Sequence, residues 1–189
     1  MERLVQARMM IAVTGLLMLA SGTAAAQGTR YDGYWGSLGV GAGGRLVSEG
    51  GETEWTTGGT FSVRMGGVLS DRFLLGGEIV LWGRDENQVF VTRGNGTVSL
   101  LFFPLDRAGF FVKGGGGGVL VRAADVSSLP SQSAITRYGF GTTLGIGYDI
   151  PFAAGLSVTP NLDFMYQWLD DPDATDAALL SLTIGVTWH

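Results

Sequence analysis

Several residue types are scarce in this sequence, and each shortage excludes a class of protein. None of the 189 residues is cysteine, which excludes a disulfide framework, cysteine-based zinc sites and a cysteine nucleophile. Charged residues make up 15% of the chain, whereas a typical soluble domain has about 25%. The net charge is −5, so the basic surface that nucleic-acid binding requires is missing.

Histidine is almost absent as well. His189 is the only one, and a histidine-dependent triad needs a base held rigidly beside its nucleophile. We expect His189 to be a frayed strand end rather than a catalytic base. The sequence therefore predicts no enzymatic activity and no cofactor.

Glycine, in contrast, is abundant, at 32 residues, and hydrophobic residues make up 46% of the chain. This composition excludes disorder, and the lack of a Gly-X-Y period excludes collagen. The run Gly114–Gly118 lies between two apolar segments, and no Gly-Lys-Ser/Thr follows it. We interpret it as a strand passing through a tight space, rather than as a linker or a phosphate loop.

Residues 1–26 have the layout of a cleavable signal peptide. Arg3 and Arg8 precede the apolar run Met9–Ala20, and Ala24 and Ala26 form a small-residue site before Gln27. The alternative, a membrane anchor, needs about 20 apolar residues, and this run is shorter. The expected domains are the signal peptide (1–26) and one folded unit (27–189).

Beyond residue 26 the hydrophobic period is two, which is typical of β-strands with two different faces. In the last segment, for example, Leu180, Leu182 and Ile184 alternate with Ser181 and Thr183. Eight such segments are predicted: 34–46, 55–69, 73–83, 89–103, 110–122, 138–150, 156–168 and 180–189. The fold class is therefore all-β.

The connections alternate between longer polar segments and short turns. The longer ones are 47–54, 84–88, 123–134 and 169–177, and the shorter ones are 70–72, 104–109 and 151–155. This alternation predicts an eight-stranded, up-and-down antiparallel transmembrane β-barrel, because such barrels have short turns at one end and longer loops at the other. The alternative is a soluble barrel or sandwich, whose apolar face points inward.

The types of residue on the two faces favour the membrane form. One face is large and apolar, and the other is glycine, serine and threonine, which fit a narrow lumen. Aromatic residues also collect near segment ends, where rings form girdles at the headgroup level. We expect such girdles from Tyr34, Trp35, Trp55, Trp82, Phe102, Phe103, Phe110, Phe111, Tyr148, Tyr166, Trp168 and Trp188.

With this pattern the chain resembles the small eight-stranded outer-membrane β-barrel proteins, of the OmpA transmembrane-domain and OmpX type. Thr183, Gly185 and Trp188 match the first three places of that family's C-terminal assembly signal, and the usual final aromatic residue is absent at His189. The resemblance implies a multi-pass protein of the bacterial outer membrane with both termini in the periplasm. It also implies contact with outer-membrane lipid and the barrel assembly machinery.

Six charged residues fall on the face that points away from lipid: Arg45, Arg64, Glu78, Arg93, Lys113 and Asp163. Isolated charges in the lumen would be costly, so we expect them to pair as a network that fills the barrel. A turn centred on Asp71 sets Arg64 directly opposite Glu78 on one face of the sheet.

Acidic residues gather in the longer loops, above all Asp170, Asp171, Asp173 and Asp176. Their oxygens suit a hard cation, but the segment lacks the spacing and the bidentate glutamate of an EF-hand loop. We interpret them as a solvated surface, with divalent-cation bridging to lipopolysaccharide as the functional alternative. The leading hypothesis is a non-enzymatic barrel that is structural or presents its loops to a partner. Two alternatives are a small transport pore and a lipid-modifying enzyme.

Overall fold

Strands make up nearly all of this computed structural model, which describes residues 33–49, 52–86, 88–105, 108–125, 134–171 and 175–189. The predicted signal peptide lies outside the described residues. The strands are β1 Tyr34–Glu49, β2 Glu52–Ser70, β3 Phe73–Glu86, β4 Val89–Phe102, β5 Phe110–Asp125, β6 Ala134–Tyr148, β7 Ile150–Ala153, β8 Leu156–Leu169 and β9 Ala177–Trp188. The described part of the chain has no helix long and apolar enough to cross a membrane.

The strands form one closed antiparallel barrel. Each strand from β1 to β5 pairs with the next, β6 pairs with β8, and β9 pairs with β8 and with β1. The short β7 continues β6 beyond Asp149 and also pairs with β8, so the nine segments make eight barrel strands. The predicted all-β, eight-stranded, up-and-down fold is confirmed.

The strands extend further than the sequence pattern predicts. The ladder between β1 and β2 continues to Glu49 and Glu52, so most of the predicted loop 47–54 is strand. The polar residues of this segment form the backbone hydrogen bonds of the ladder. They lack the apolar alternation on which the strand predictions rest. We call this side of the barrel, with the connections after β1, β3, β5 and β8, the loop end. The opposite side, which holds both ends of the strand array, is the turn end.

The two faces of the barrel wall have opposite chemistry. The outer face exposes large apolar side chains on every strand, including Val40, Met65 and Leu144, each more than 60% exposed. The inner face buries polar ones such as Ser62 and Thr159, each at 1% exposure. A soluble barrel would have the reverse arrangement. The structure therefore has the lipid-facing apolar surface of a transmembrane barrel.

Glycines on the inner face allow close approaches that a Cβ would prevent. A Cβ on Gly117 would lie 2.9 Å from the Cα of Thr97 on the neighbouring strand, and one on Gly147 would overlap the Phe111 ring, at 2.8 Å from its Cε1 atom. The run Gly114–Gly118 is therefore part of a closely packed strand, as the sequence predicts, and this strand pairs with β4 and β6 along its length.

Aromatic residues are divided between the two faces, which corrects the predicted girdles. Trp35, Trp82, Phe103 and Phe111 are at most 4% exposed and fill the lumen. They belong to two apolar groups of side chains. The turn-end plug is Trp35, Leu74, Leu101, Phe103 and Phe111, and the loop-end plug is Val80, Trp82, Met165, Ala177 and Leu179. Outward rings remain at both ends, namely Tyr34, Trp55, Tyr148, Trp168 and Trp188, each more than 40% exposed.

Candidate functional site in the lumen

Between the two plugs, four charged side chains meet in the centre of the barrel. Arg64 and Glu78 are direct cross-strand partners, as predicted, although the turn is the two residues between Ser70 and Phe73 and a bulge between Val68 and Ser70 brings the strands into this register. Nε of Arg64 lies 3.7 Å from Oε1 of Glu78. Nζ of Lys113 forms ion pairs with Oε1 of Glu78 and, at 2.8 Å, with Oδ1 of Asp163. We call these four residues the four-charge cluster, in which two cations balance two anions.

Polar neighbours add hydrogen bonds to this cluster, although Nε and Nη2 of Arg64 have no hydrogen-bond acceptor among the described residues. Nη1 of Arg64 donates to Oδ1 of Asn161 at 3.3 Å, and Asn161 in turn donates to Asp163. Oγ of Ser99 donates to Oε2 of Glu78 at 3.3 Å. All four charged residues are at most 4% exposed. A buried cluster with this many partners is rigid, because any single loss leaves a charge without compensation.

Gly145 on β6 makes room for the Lys113–Asp163 ion pair. A Cβ at this position would lie 2.7 Å from Cε of Lys113 and would also overlap the Asp163 carboxylate. Gly145 is therefore part of the site, because the ion pair occupies the space that a side chain at this position would fill.

Arg45 and Arg93, the two other predicted members, lie nearer the loop end and outside the four-charge cluster. Nη2 of Arg45 pairs with Oε1 of Glu86 at 3.3 Å, and its guanidinium lies 5.5 Å from the Trp82 ring centroid. Nη1 of Arg93 donates to Oε1 of Gln167 at 3.0 Å. The alternation along a strand predicts that a side chain faces the lumen, but it does not give the position of that side chain along the barrel axis. The sequence therefore predicts one network, whereas the structure has two separate groups of charges at different heights.

At the turn end, hydroxyl groups form a chain that the sequence did not predict. Thr187 donates to Ser37 at 3.0 Å, Thr159 and Thr187 are 2.7 Å apart, and Thr159 donates to Asp149 at 2.6 Å. Nε2 of His189 lies 3.6 Å from Oδ2 of Asp149. The alternation in the sequence predicts that these side chains face the lumen, but it does not predict their contacts across the barrel.

The expectation that His189 is frayed is wrong. Its backbone N–H donates to the carbonyl of Gly155 at 3.0 Å, and its side chain is only 11% exposed beside Asp149. The residue is held because β9 pairs with β8 up to Trp188, and this ladder carries His189 across the turn-end mouth.

The predicted assembly signal lies on β9, which closes the barrel against β1. Thr183 faces the lumen, at 1% exposure, and Trp188 faces outward, at 41%. Gly185 pairs with Gly39 of β1. The Trp188 ring lies over Gly36, where a Cβ would come 2.8 Å from the indole nitrogen.

The acidic loop residues are engaged in separate contacts. Oδ2 of Asp171 pairs with Nε of Arg137 at 3.3 Å, and Oδ1 of Asp176 accepts from the backbone N–H of Leu169 at 3.0 Å. The backbone N–H of Asp170 donates to the carbonyl of Tyr138, and Asp173 lies outside the described residues. In the part of the chain that the structure describes, no three acidic or histidine side chains group as metal ligands.

Comparison with known proteins supports the same architecture. Neisserial surface protein A (NspA) superimposes with a TM-score of 0.63 and 11% identity, over 83% of this chain and 97% of that one. The attachment invasion locus protein Ail of Yersinia pestis, solved with the heparin analogue sucrose octasulfate, gives 0.56 and 17%, over 83% and 99%. No family model and no curated protein matches the sequence. The fold is that of small eight-stranded outer-membrane barrels.

Proposed function

We propose that this chain, which folds like the small outer-membrane barrels, is an integral protein of the bacterial outer membrane that neither conducts solutes nor catalyses a reaction. Its loop end would face the cell exterior, and both termini would lie in the periplasm. The barrel would serve as a rigid base that presents the loop end to the surroundings.

The observation that carries this proposal is the filling of the lumen at three successive levels. The turn-end plug, the four-charge cluster and the loop-end plug follow one another along the barrel axis. An eight-stranded barrel is only wide enough to hold its own side chains, whereas water-filled porins have about 16–18 strands. Buried ion pairs and aromatic rings in such a narrow space oppose permeation, which disfavours the pore alternative.

The lipid-modifying alternative is disfavoured by where the polar groups lie. Asp149 and His189 are close together, but the hydroxyls of Ser37, Thr159 and Thr187 are at most 4% exposed and face the lumen. A lipid ester held in the bilayer would have to pass through the barrel wall to reach them. A nucleophile needs access to its substrate as well as a base.

Lipid and lipopolysaccharide are the partners that the surface chemistry favours. The outer face supplies the apolar band, and Glu54, Asp85 and Asp170 give the loop end an acidic, exposed rim. Divalent cations would bridge such a rim to lipopolysaccharide phosphates, since carboxylates are suitable oxygen ligands. The barrel assembly machinery remains the expected partner during insertion, through Thr183, Gly185 and Trp188.

Planar-bilayer recording of the refolded, full-length chain tests the central claim. We expect no stable unit conductance from the native barrel. The control is the double variant Trp82→Ala, Phe111→Ala, which removes one buried ring from each plug and should leak more. Reproducible conductance steps from the native barrel would overturn the proposal.

A further inference from the structure

Arg93 is a buried cation that lacks a charged partner. Its side chain faces the lumen from β4 and is only 7% exposed. Within the described residues, its one hydrogen-bond acceptor is the neutral amide of Gln167. Among the residues that the structure describes, no carboxylate lies within ion-pair distance of its guanidinium. A cation held in this way is unfavourable, because its lost hydration is not replaced by a direct ion pair.

The acidic residues whose charges reach Arg93 are already engaged. Glu86 and Asp176 are the two nearby carboxylates. Glu86 pairs with Arg45, and Asp176 accepts from the backbone N–H of Leu169. Neither makes an ion pair or a hydrogen bond with Arg93 in this structure.

Hydrogen-bond donors outnumber acceptors around Arg93. The guanidinium has only donors, and each neighbouring amide has one oxygen beside two N–H groups. Gln167 accepts from Arg93 and donates to Oδ1 of Asn95. Within the described residues, Nε of Arg93 and Nδ2 of Asn95, both buried, have no acceptor. Flipping either amide does not remove this surplus, because the number of oxygens stays the same.

We propose that Arg93 and Asn95 form a binding site for a small oxyanion, of the carboxylate or phosphate class. An oxyanion supplies both missing elements, a negative charge and several hydrogen-bond acceptors. The planar guanidinium suits these ions because it donates two parallel N–H groups to two oxygens. This inference goes beyond the proposed membrane role and does not depend on it.

The loop end provides the approach to this site. Trp82 is the direct cross-strand neighbour of Arg93, and Arg45 lies over the Trp82 ring. The Arg45–Glu86 pair is the more exposed layer, with side-chain exposures of 13% and 31%. An anion entering from the loop end would first meet the Arg45–Glu86 pair and then Arg93.

Anion titration of the refolded full-length chain in detergent micelles tests the site. Sodium phosphate and sodium acetate are added separately against sodium chloride at constant ionic strength, with tryptophan fluorescence and the thermal midpoint as readouts. The two arms distinguish phosphate from carboxylate. We expect a saturable response in the native protein to at least one ion, and binding at least about tenfold weaker in Arg93→Gln, which loses a charge-assisted hydrogen bond.

The matched control is Arg122→Gln, which removes the same charge from an exposed position on β5, and its titration should match that of the native protein. A second variant, Arg93→Met, should abolish the response and raise the anion-free midpoint, because an apolar chain removes the unpaired charge. The proposal is overturned by a native protein without a saturable response, by equal weakening in Arg122→Gln, or by a lower anion-free midpoint in Arg93→Met, which would mean that Arg93 is already neutralised.

Discussion

At the scale of single residues, the four-charge cluster is the most sensitive place in the barrel. Glu78→Gln keeps the shape of the side chain but leaves Arg64 and Lys113 with only one carboxylate. We expect the free energy of unfolding to fall by about 3–5 kcal/mol, the usual cost of breaking a buried ion pair on one side. Urea unfolding of the lipid-inserted barrel, followed by tryptophan fluorescence, measures it.

A charge-matched double variant separates electrostatics from packing. The double variant Glu78→Gln, Lys113→Gln restores neutrality in the cluster. Its loss of unfolding free energy should therefore be smaller than the sum of the losses in the two single variants. Asp71→Asn, at the exposed turn, is a control expected to change stability by less than about 0.5 kcal/mol. Additive losses in the double variant would show that the charges do not interact.

Gly145 gives a second prediction at this scale. Gly145→Ala should lower the free energy of unfolding by about 1–3 kcal/mol, because the new methyl group would displace the Lys113–Asp163 pair. Gly118→Ala, on the outer face of β5, is the control, since a Cβ there meets nothing within 4 Å. Equal effects of the two substitutions in the same unfolding assay would contradict this role for Gly145.

Sequence patterns predict some residues of the site and miss others for a physical reason. Arg64 and Glu78 face each other because the tight turn and the bulge beside it, between Val68 and Ser70, together fix the register of this hairpin. The contacts of Lys113 with Asp163 and of Arg93 with Gln167 cross the lumen between distant strands. Barrel closure and strand tilt set those distances, and the local alternation of residues predicts neither of them.

At the scale of strands, parity decides which aromatic rings enter the lumen. Phe110 and Phe111 are consecutive, so they point to opposite faces, and Phe111 shares the phase of Lys113. The same rule places Trp82 with Glu78. The girdle prediction failed for four rings because position near a strand end was given more weight than this alternation.

The Phe110–Phe111 doublet offers a matched test of the turn-end plug. Phe111→Ala should reduce stability by about 3–5 kcal/mol, because it leaves a cavity in a packed group. Phe110→Ala removes the same atoms from the lipid-facing side and should cost much less. Heat-unfolding midpoints of the two variants in one detergent compare them directly, and equal losses would refute the plug.

At the scale of the whole molecule, the barrel has two distinguishable ends, which allows its orientation to be tested. An epitope tag inserted between Asp125 and Ala134, at the loop end, should bind antibody on intact cells. A tag at Ser70–Arg72, at the turn end, should bind only after the outer membrane is opened. The reverse labelling pattern would refute a periplasmic location of the termini.

Closure of the whole barrel is also open to a direct test. A closed sheet has no free edge at which detergent-driven unfolding can begin. We expect the unboiled protein to migrate differently from the boiled protein on a denaturing gel. Recovery as a soluble periplasmic species in cell fractionation would contradict the membrane assignment.

The composition of the four-charge cluster has a consequence for how the barrel is made. Arg64, Glu78, Lys113 and Asp163 come from β2, β3, β5 and β8, so no single hairpin can neutralise its own charges except β2–β3. A chain that has not yet added β8 leaves Lys113 short of a carboxylate and would enter the bilayer at a higher cost. The cluster thereby favours all-or-none folding, because a chain that has formed β5 but not yet added β8 keeps one uncompensated positive charge at its centre.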